Sequence, residues 1–135
     1  MASVANSRLF LEGGVTGFVG GAVSVVAWLA AESFGVPTLV EVPNMGVQSL
    51  TWVHFVAVGV LSGLGAALVA LLTDGRRGSR RLFTGIAIVV LLGSIASLAL
   101  QPEEVALSTR VVLAVLHVVV YVAVVPRLAG RLRAR

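Results

Sequence analysis

Two histidines and a small group of hydroxyl, amide and charged side chains are the residues of this chain that could do chemistry. Arg110, His117 and Tyr121 follow one another at steps of seven and four residues, which places them on one face of a helix. His117 lies near the middle of the apolar run 109–127, where an ionisable group is costly. An imidazole at this depth is either a structural residue bonded to a neighbour or part of a functional site, and the spacing leaves both open.

Further polar side chains occur in the outer halves of the neighbouring apolar runs. Ser94, Ser97 and Gln101 share a face of the third run, and His54 lies near the start of the second. With a rise of about 1.5 Å per residue, these groups fall between the outer surface of a membrane and its midplane. We therefore predict a polar pocket that opens outward, with His117 at its floor. The candidate ligand-binding residues are His117, Tyr121, Arg110, Ser94, Ser97, Gln101, His54 and Glu32.

The familiar catalytic and cofactor-binding patterns do not fit these residues. The sequence has no cysteine, which excludes thiolate nucleophiles and iron-sulfur ligation, and it has no Gly-rich phosphate loop. The two histidines differ in depth by about 10 Å, which argues against a bis-histidine haem. No carboxylate or second histidine lies near His117 to complete a metal site. We predict no catalytic residue, no metal and no cofactor.

The elements that carry these residues are membrane-spanning helices. Of the 135 residues, 58% are hydrophobic and 12% are charged, a balance typical of membrane proteins rather than soluble domains. Four apolar runs each have roughly the 17 to 25 residues that a spanning helix needs. The sequence therefore predicts an all-α integral membrane four-helix bundle, a single domain over residues 1–135. The predicted spans are 13–31, 52–72, 82–100 and 107–125.

All ten basic residues are arginines, and their positions predict the orientation of the bundle. Nine of them lie in the N-terminal segment, the basic loop 73–81 and the tail 126–135, whereas Arg110 alone lies on the other side. By the positive-inside rule both termini are cytoplasmic, and we expect a multi-pass protein of the cell membrane. Within the tail, Arg127 and Arg131 are one turn apart, and we expect an amphipathic helix that rests on anionic lipid.

The three connections between spans differ in length. The second and third are short, which predicts antiparallel contact of span two with span three and of span three with span four. The first, 32–51, is long and apolar, with Pro37, Pro43 and an Asn-Met-Gly turn. We expect it to lie across the outer mouth of the bundle, either as a lid or shallow re-entrant piece or as a passive cap over the helix ends. Near the same surface, Trp28, Trp52 and His54 fit an interfacial belt, and Arg110 is expected to reach the headgroups or pair with Glu103, Glu104 or Glu32.

Small residues predict where helices touch. In lipid, close approach of backbones through small side chains is a main source of contact energy. Such contacts either form within one subunit or build a homo-oligomer, and the sequence leaves both open. The glycines on predicted contact faces are Gly13, Gly17, Gly21, Gly59 and Gly63, and a second stripe on span two contains Ser62, Ala66 and Ala70.

Three segments resemble a known family. These are "GLGAALVALL" in span two, "LLGSIASL" in span three, and "LAVLHVVVYVAVVPRL", a last span with a central histidine and a terminal proline. Together the segments resemble a family of small, uncharacterised four-span membrane proteins of high-GC actinobacteria, a domain of unknown function. The resemblance covers roughly residues 50–130. It implies four helices and an unassigned function.

These observations favour a non-enzymatic membrane protein that binds a small or lipidic ligand, or a membrane partner, through the outward pocket. A small transport or proton-conducting module using His117 is the alternative, as is a membrane enzyme with His117 as general base. The expected partners are the lipid bilayer, a lipid or small-molecule ligand, and a second copy or another membrane protein. Nucleic acid is not expected, because topology explains the arginines.

Overall fold

The described residues form four long helices and one two-stranded hairpin. A computed structural model describes residues 2–42 and 46–132, with side chains for 7–41 and 46–132, so Arg133, Arg135 and the Asn44–Met45 turn lie outside the described residues. All four helices are long and apolar enough to cross a membrane, which confirms the predicted all-α membrane bundle. The helices are α1 (Ala2–Ser33), α2 (Trp52–Thr73), α3 (Ser79–Ala99) and α4 (Leu107–Arg131).

The connection between α1 and α2 forms a β-hairpin, which the sequence analysis did not predict. Strand β1 (Leu39–Val42) pairs antiparallel with β2 (Gly46–Ser49). The pairing lets backbone N–H and C=O groups of the two strands bond one another. The hydroxyl of the fully buried Thr109 donates to the carbonyl of Pro37 at 2.9 Å, which ties the hairpin to the start of α4. We call this end of the bundle the hairpin end.

The opposite end contains the α2–α3 loop and the last turns of α4, and we call it the arginine end. Gly75 and Gly78 in the loop have φ near +74° and +72°, values that glycine adopts without strain, so the chain reverses within five residues, 74–78. Helix α4 continues through Pro126, which has no N–H to donate to the carbonyl of Val122. Prolines of this kind are tolerated in membrane helices.

Helices α1 and α2 form the closest contact in the bundle. Gly13, Gly17 and Gly21 of α1 lie against α2, where they meet the backbone around Gly59 and Gly63. A Cβ atom added to Gly17 would be 2.3 Å from the carbonyl oxygen of Gly59, and one added to Gly13 would be 2.4 Å from that of Gly63. The two backbones are therefore closer than any side chain would allow, and this face of α1 is covered within the subunit.

A buried cluster at the hairpin end joins α1, α2 and β1. Trp28 is only 3% exposed, and its ring centroid lies 5.1 Å from that of Phe55. Val40 of β1 packs in the same cluster. Trp28 is therefore covered by protein, and its indole does not face the headgroups as the interfacial-belt prediction expected. Trp52, by contrast, is 63% exposed.

Helix α3 is the least buried of the four. In its most apolar stretch 11% of the residues are buried, compared with 28% to 33% in the other three helices. It packs mainly against α4 and makes few contacts with α2, although only a short loop separates the two in sequence. Phe83, near the arginine end, is almost fully buried and joins α3 to the cluster around Leu128 of α4. The space between α2 and α3 is the site described next.

Candidate ligand-binding cleft

A cleft of about 800 Å³ separates α2 from α3. These two helices form its side walls and α4 forms the back. At the hairpin end it is lined by Val40 and Glu41 of β1 and by Leu50, and at the arginine end by Phe83. Most of the lining is aliphatic, so the interior favours hydrocarbon over water.

Five of the eight predicted site residues lie on this one cleft, although they come from three different helices and a loop. His54 lines it from α2, Ser94 from α3, and His117 and Tyr121 from α4. Gln101 lines it from the α3–α4 connection. The structure thus brings together side chains from positions 54 to 121 of the chain. The other three predicted residues do not line the cleft.

Arg110 binds main-chain oxygens, whereas headgroups or the carboxylates of Glu103, Glu104 or Glu32 were the predicted partners. Its guanidinium donates to the carbonyl of Val105 at 3.1 Å and to that of Pro102 at 2.8 Å, because the α3–α4 connection folds back within reach of the side chain. Ser97 donates to a carbonyl of its own helix, and Glu32 is exposed at the end of α1. Arg110 therefore stabilises a connection and does not line the cleft.

The imidazole of His117 has one bonded nitrogen and one unbonded nitrogen. Its Nδ1 lies 2.7 Å from the carbonyl oxygen of Leu113, one turn earlier in α4. A carbonyl only accepts, so Nδ1 carries a proton, and in the uncharged ring Nε2 is then an acceptor. Nε2 has no hydrogen-bond partner among residues 7–41 and 46–132. No buried side-chain nitrogen or oxygen of the described residues lacks a partner, so this Nε2 is open to the cleft. An unsatisfied polar group in apolar surroundings is costly, and the cleft therefore offers Nε2 to a hydrogen-bond donor.

His117 is not the floor of the cleft, contrary to the prediction. The lining continues toward the arginine end through Tyr121, one turn further along α4, and then Val124, and it ends at Phe83. The cleft extends further toward the arginine end than the pattern of polar residues indicated, because α3 leaves space beside α2 there. Tyr121 has no hydrogen bond from its hydroxyl to any described residue, whereas Ser94 donates to the carbonyl of Val90.

The polar groups at the hairpin end have structural partners. The Thr51 backbone N–H donates to Nδ1 of His54 at 3.1 Å, so His54 completes a capping box at the start of α2. The side chain of Gln101 accepts from the Glu41 N–H at 3.0 Å and donates to the Glu41 carbonyl at 3.4 Å. Gln101 thus bonds the edge of β1 much as a neighbouring strand would, and it holds the hairpin over the cleft.

Part of the predicted small-residue stripe of α2 lines the cleft. Ser62 and Ala66 are both lining residues, as is Gly65 between them. A Cβ atom on Gly65 would meet nothing within 4 Å. From the small size of these side chains the sequence predicted a close contact with a neighbouring helix. Only the position of α3 in the structure shows that this part of α2 faces a cleft.

The cleft opens sideways and has little charge. Val58, Ser62 and Gly65 of α2 and Val90 of α3 line it and are also exposed, so the opening faces the lipid between these two helices. Within the described lining, Glu41 is the one carboxylate and no arginine is present. In the part of the chain that the structure describes, no group of three His, Cys, Asp or Glu side chains could hold a metal ion. The site is suited to a neutral, largely apolar molecule.

Comparison with known proteins places the chain in a family without assigning an activity. No curated protein and no solved structure matches it. One family model does, over residues 4–134, and its description is a family of unknown function (DUF6069).

Proposed function

Since the chain belongs to this family of unknown function, we propose a role from the cleft itself: a non-enzymatic membrane protein that binds a neutral lipidic molecule between α2, α3 and α4. The observation that carries this proposal is the unpartnered Nε2 of His117 inside an apolar cleft that opens toward lipid. A long apolar molecule with one hydroxyl group would satisfy both features. In this role the protein holds such a molecule within the bilayer.

The dimensions and polarity of the cleft support this ligand class. A volume of about 800 Å³ lies within the range of roughly 300 to 1,000 Å³ that small-molecule sites occupy. Apolar walls with a few well-placed polar groups are typical of such sites, since the walls provide affinity and the polar groups orientation. Without an arginine in the described lining, an anionic headgroup would have no counter-charge here, whereas a hydroxyl needs only an acceptor.

A proton relay through His117 has less support from the geometry. A relay needs further polar groups on the path to the other membrane surface. Beyond Tyr121 the described lining toward the arginine end consists of Val69, Phe83, Val124 and Val125, none of which transfers protons. Ligand binding needs no such path, and it uses the sideways opening.

Filling the cleft tests the proposal. Gly65→Phe places an aromatic ring in the cleft, whereas Gly85→Phe adds the same ring to an open position of α3 that does not line it. We expect a long-chain alcohol carrying a photoactivatable diazirine to label wild type and Gly85→Phe equally, at peptides of α2, α3 and α4. Labelling of Gly65→Phe should fall at least about fivefold, because the ring occupies the space of the chain.

Equal labelling of Gly65→Phe and wild type would overturn the proposal, as would labelling spread evenly over the lipid-facing surface. The proton relay through His117 is tested with the same purified protein. If wild-type protein in liposomes collapses a pH gradient and His117→Leu does not, His117 acts in proton transport and the binding role is wrong.

A further inference from the structure

A second crevice, separate from the cleft, lies between α1 and α4 at the arginine end. Its volume is about 540 Å³. Glu12 and Leu11 of α1 line one side, and Arg127 and Arg131 of α4 line the other. The proposed function does not use these residues.

The crevice has more positive than negative charge. The guanidinium of Arg131 donates to the carboxylate of Glu12, and this ion pair joins α4 to α1. A guanidinium has five N–H donors, so most of those on Arg131 remain available. Arg127, one turn earlier on α4, has no hydrogen bond or ion pair with any described residue. Two arginines thus border the crevice against one carboxylate that is already paired.

Apolar surface continues from these charges toward the middle of the membrane. Leu11 and Val15 of α1 are 67% and 52% exposed, and Val122 of α4, one turn before Pro126, is 60% exposed. Leu11 and Val15 also line the crevice. Cationic groups thus lie next to an apolar strip along two spanning helices, which matches the order of phosphate and acyl chain in a phospholipid.

We infer that this crevice binds an anionic phospholipid. The phosphate lies between the guanidinium groups of Arg127 and Arg131, and an acyl chain follows Leu11, Val15 and Val122. Arginine suits this position because its planar fork makes paired hydrogen bonds to phosphate oxygens. A free phosphate ion would use the arginines but not the apolar strip, so the geometry favours the lipid.

The experiment measures lipid binding to purified wild-type and variant proteins in phosphatidylcholine nanodiscs, titrated with phosphatidylglycerol. Arg127→Gln should bind phosphatidylglycerol about fivefold more weakly, the effect expected for one arginine at a membrane surface. Arg80→Gln is the matched control: it removes the same charge from an exposed position at the same end of the bundle, outside the crevice. Its affinity should stay within about twofold of wild type.

Equal losses in Arg127→Gln and Arg80→Gln would overturn the inference, because general surface charge would then explain the binding. Arg127→Lys separates charge from geometry and should fall between wild type and Arg127→Gln. Glycerol phosphate distinguishes the two sources of phosphate. If it displaces the lipid at equal concentration, the crevice recognises a soluble anion and the lipid assignment is wrong.

Discussion

The hydrogen bonding of His117 explains how an ionisable residue is tolerated in the middle of a spanning helix. By donating from Nδ1 to the carbonyl of Leu113, the imidazole satisfies one of its two nitrogens within its own helix. The other nitrogen is the group that distinguishes a structural from a functional histidine. A purely structural solution would bond both nitrogens within the protein, and none of the described residues bonds Nε2.

Replacement of His117 by leucine tests this single acceptor. We expect His117→Leu to fold with unchanged or slightly raised stability, since leucine removes the unpaired group. The wild-type protein should prefer a long-chain alcohol probe to its methyl ether by about fivefold, the worth of one ordinary hydrogen bond, and the variant should lose this preference. Competition between the two probes in the labelling assay measures it.

Tyr121→Phe is the control, because it removes the other unpartnered polar group nearby and keeps the ring. A preference that disappears in Tyr121→Phe and persists in His117→Leu would assign the hydrogen bond to the tyrosine instead.

At the scale of elements, the contact between α1 and α2 is set by glycine. Because lipid gives no hydrophobic drive between helices, association depends on close van der Waals packing. The short distances from Gly13 and Gly17 to the backbone of α2 show how closely these helices approach. A homo-oligomer therefore remains a prediction that needs another surface, since this one is occupied within the subunit.

Adding one methyl group at two glycines of α1 separates packing from helix propensity. Gly17→Ala brings a Cβ atom to 2.3 Å from the Gly59 carbonyl oxygen, so the helices must separate. In Gly14→Ala the nearest such atom is the Leu64 Cδ2 at 3.6 Å, an ordinary contact. Both gain alanine's preference for helix. We expect Gly17→Ala to lose about 2 kcal/mol in the free energy of unfolding, the usual cost of overpacking, and Gly14→Ala to lose nothing.

Reversible unfolding of the purified variants in mixed detergent micelles measures both changes. Equal stability of the two variants would contradict a tight α1–α2 contact.

At the scale of the molecule, an even number of spanning helices puts both ends of the chain on the same side of the membrane. Which side this is remains a prediction from the arginines. The chain has no cysteine, so a single one can be introduced and labelled without background. In intact cells, a membrane-impermeant maleimide should label Val47→Cys in the hairpin and leave Arg77→Cys in the α2–α3 loop unlabelled until the membrane is permeabilised. The reverse pattern would place the termini outside.

The sequence alone was sufficient to predict the four helices and the position of His117 near the middle of the fourth. Both predictions rest on the membrane. A spanning segment must form its backbone hydrogen bonds internally and must cross about 30 Å of hydrocarbon, whatever helices surround it. The helix face shared by His117 and Tyr121 follows from local geometry in the same way, and both residues do line the cleft.

Only the tertiary structure decided which helices pack together and which stand apart. Whether α3 packs against α2 or stands apart depends on the fit of many side chains, because apolar surface is as stable in lipid as in a helix contact. The partners of the polar groups could not be predicted from the sequence either. Arg110 had carboxylates and carbonyls within possible reach, and the fold of the α3–α4 connection selected the carbonyls. The cleft and the α1–α4 crevice are thus properties of helix arrangement, which periodicity along a single helix does not contain.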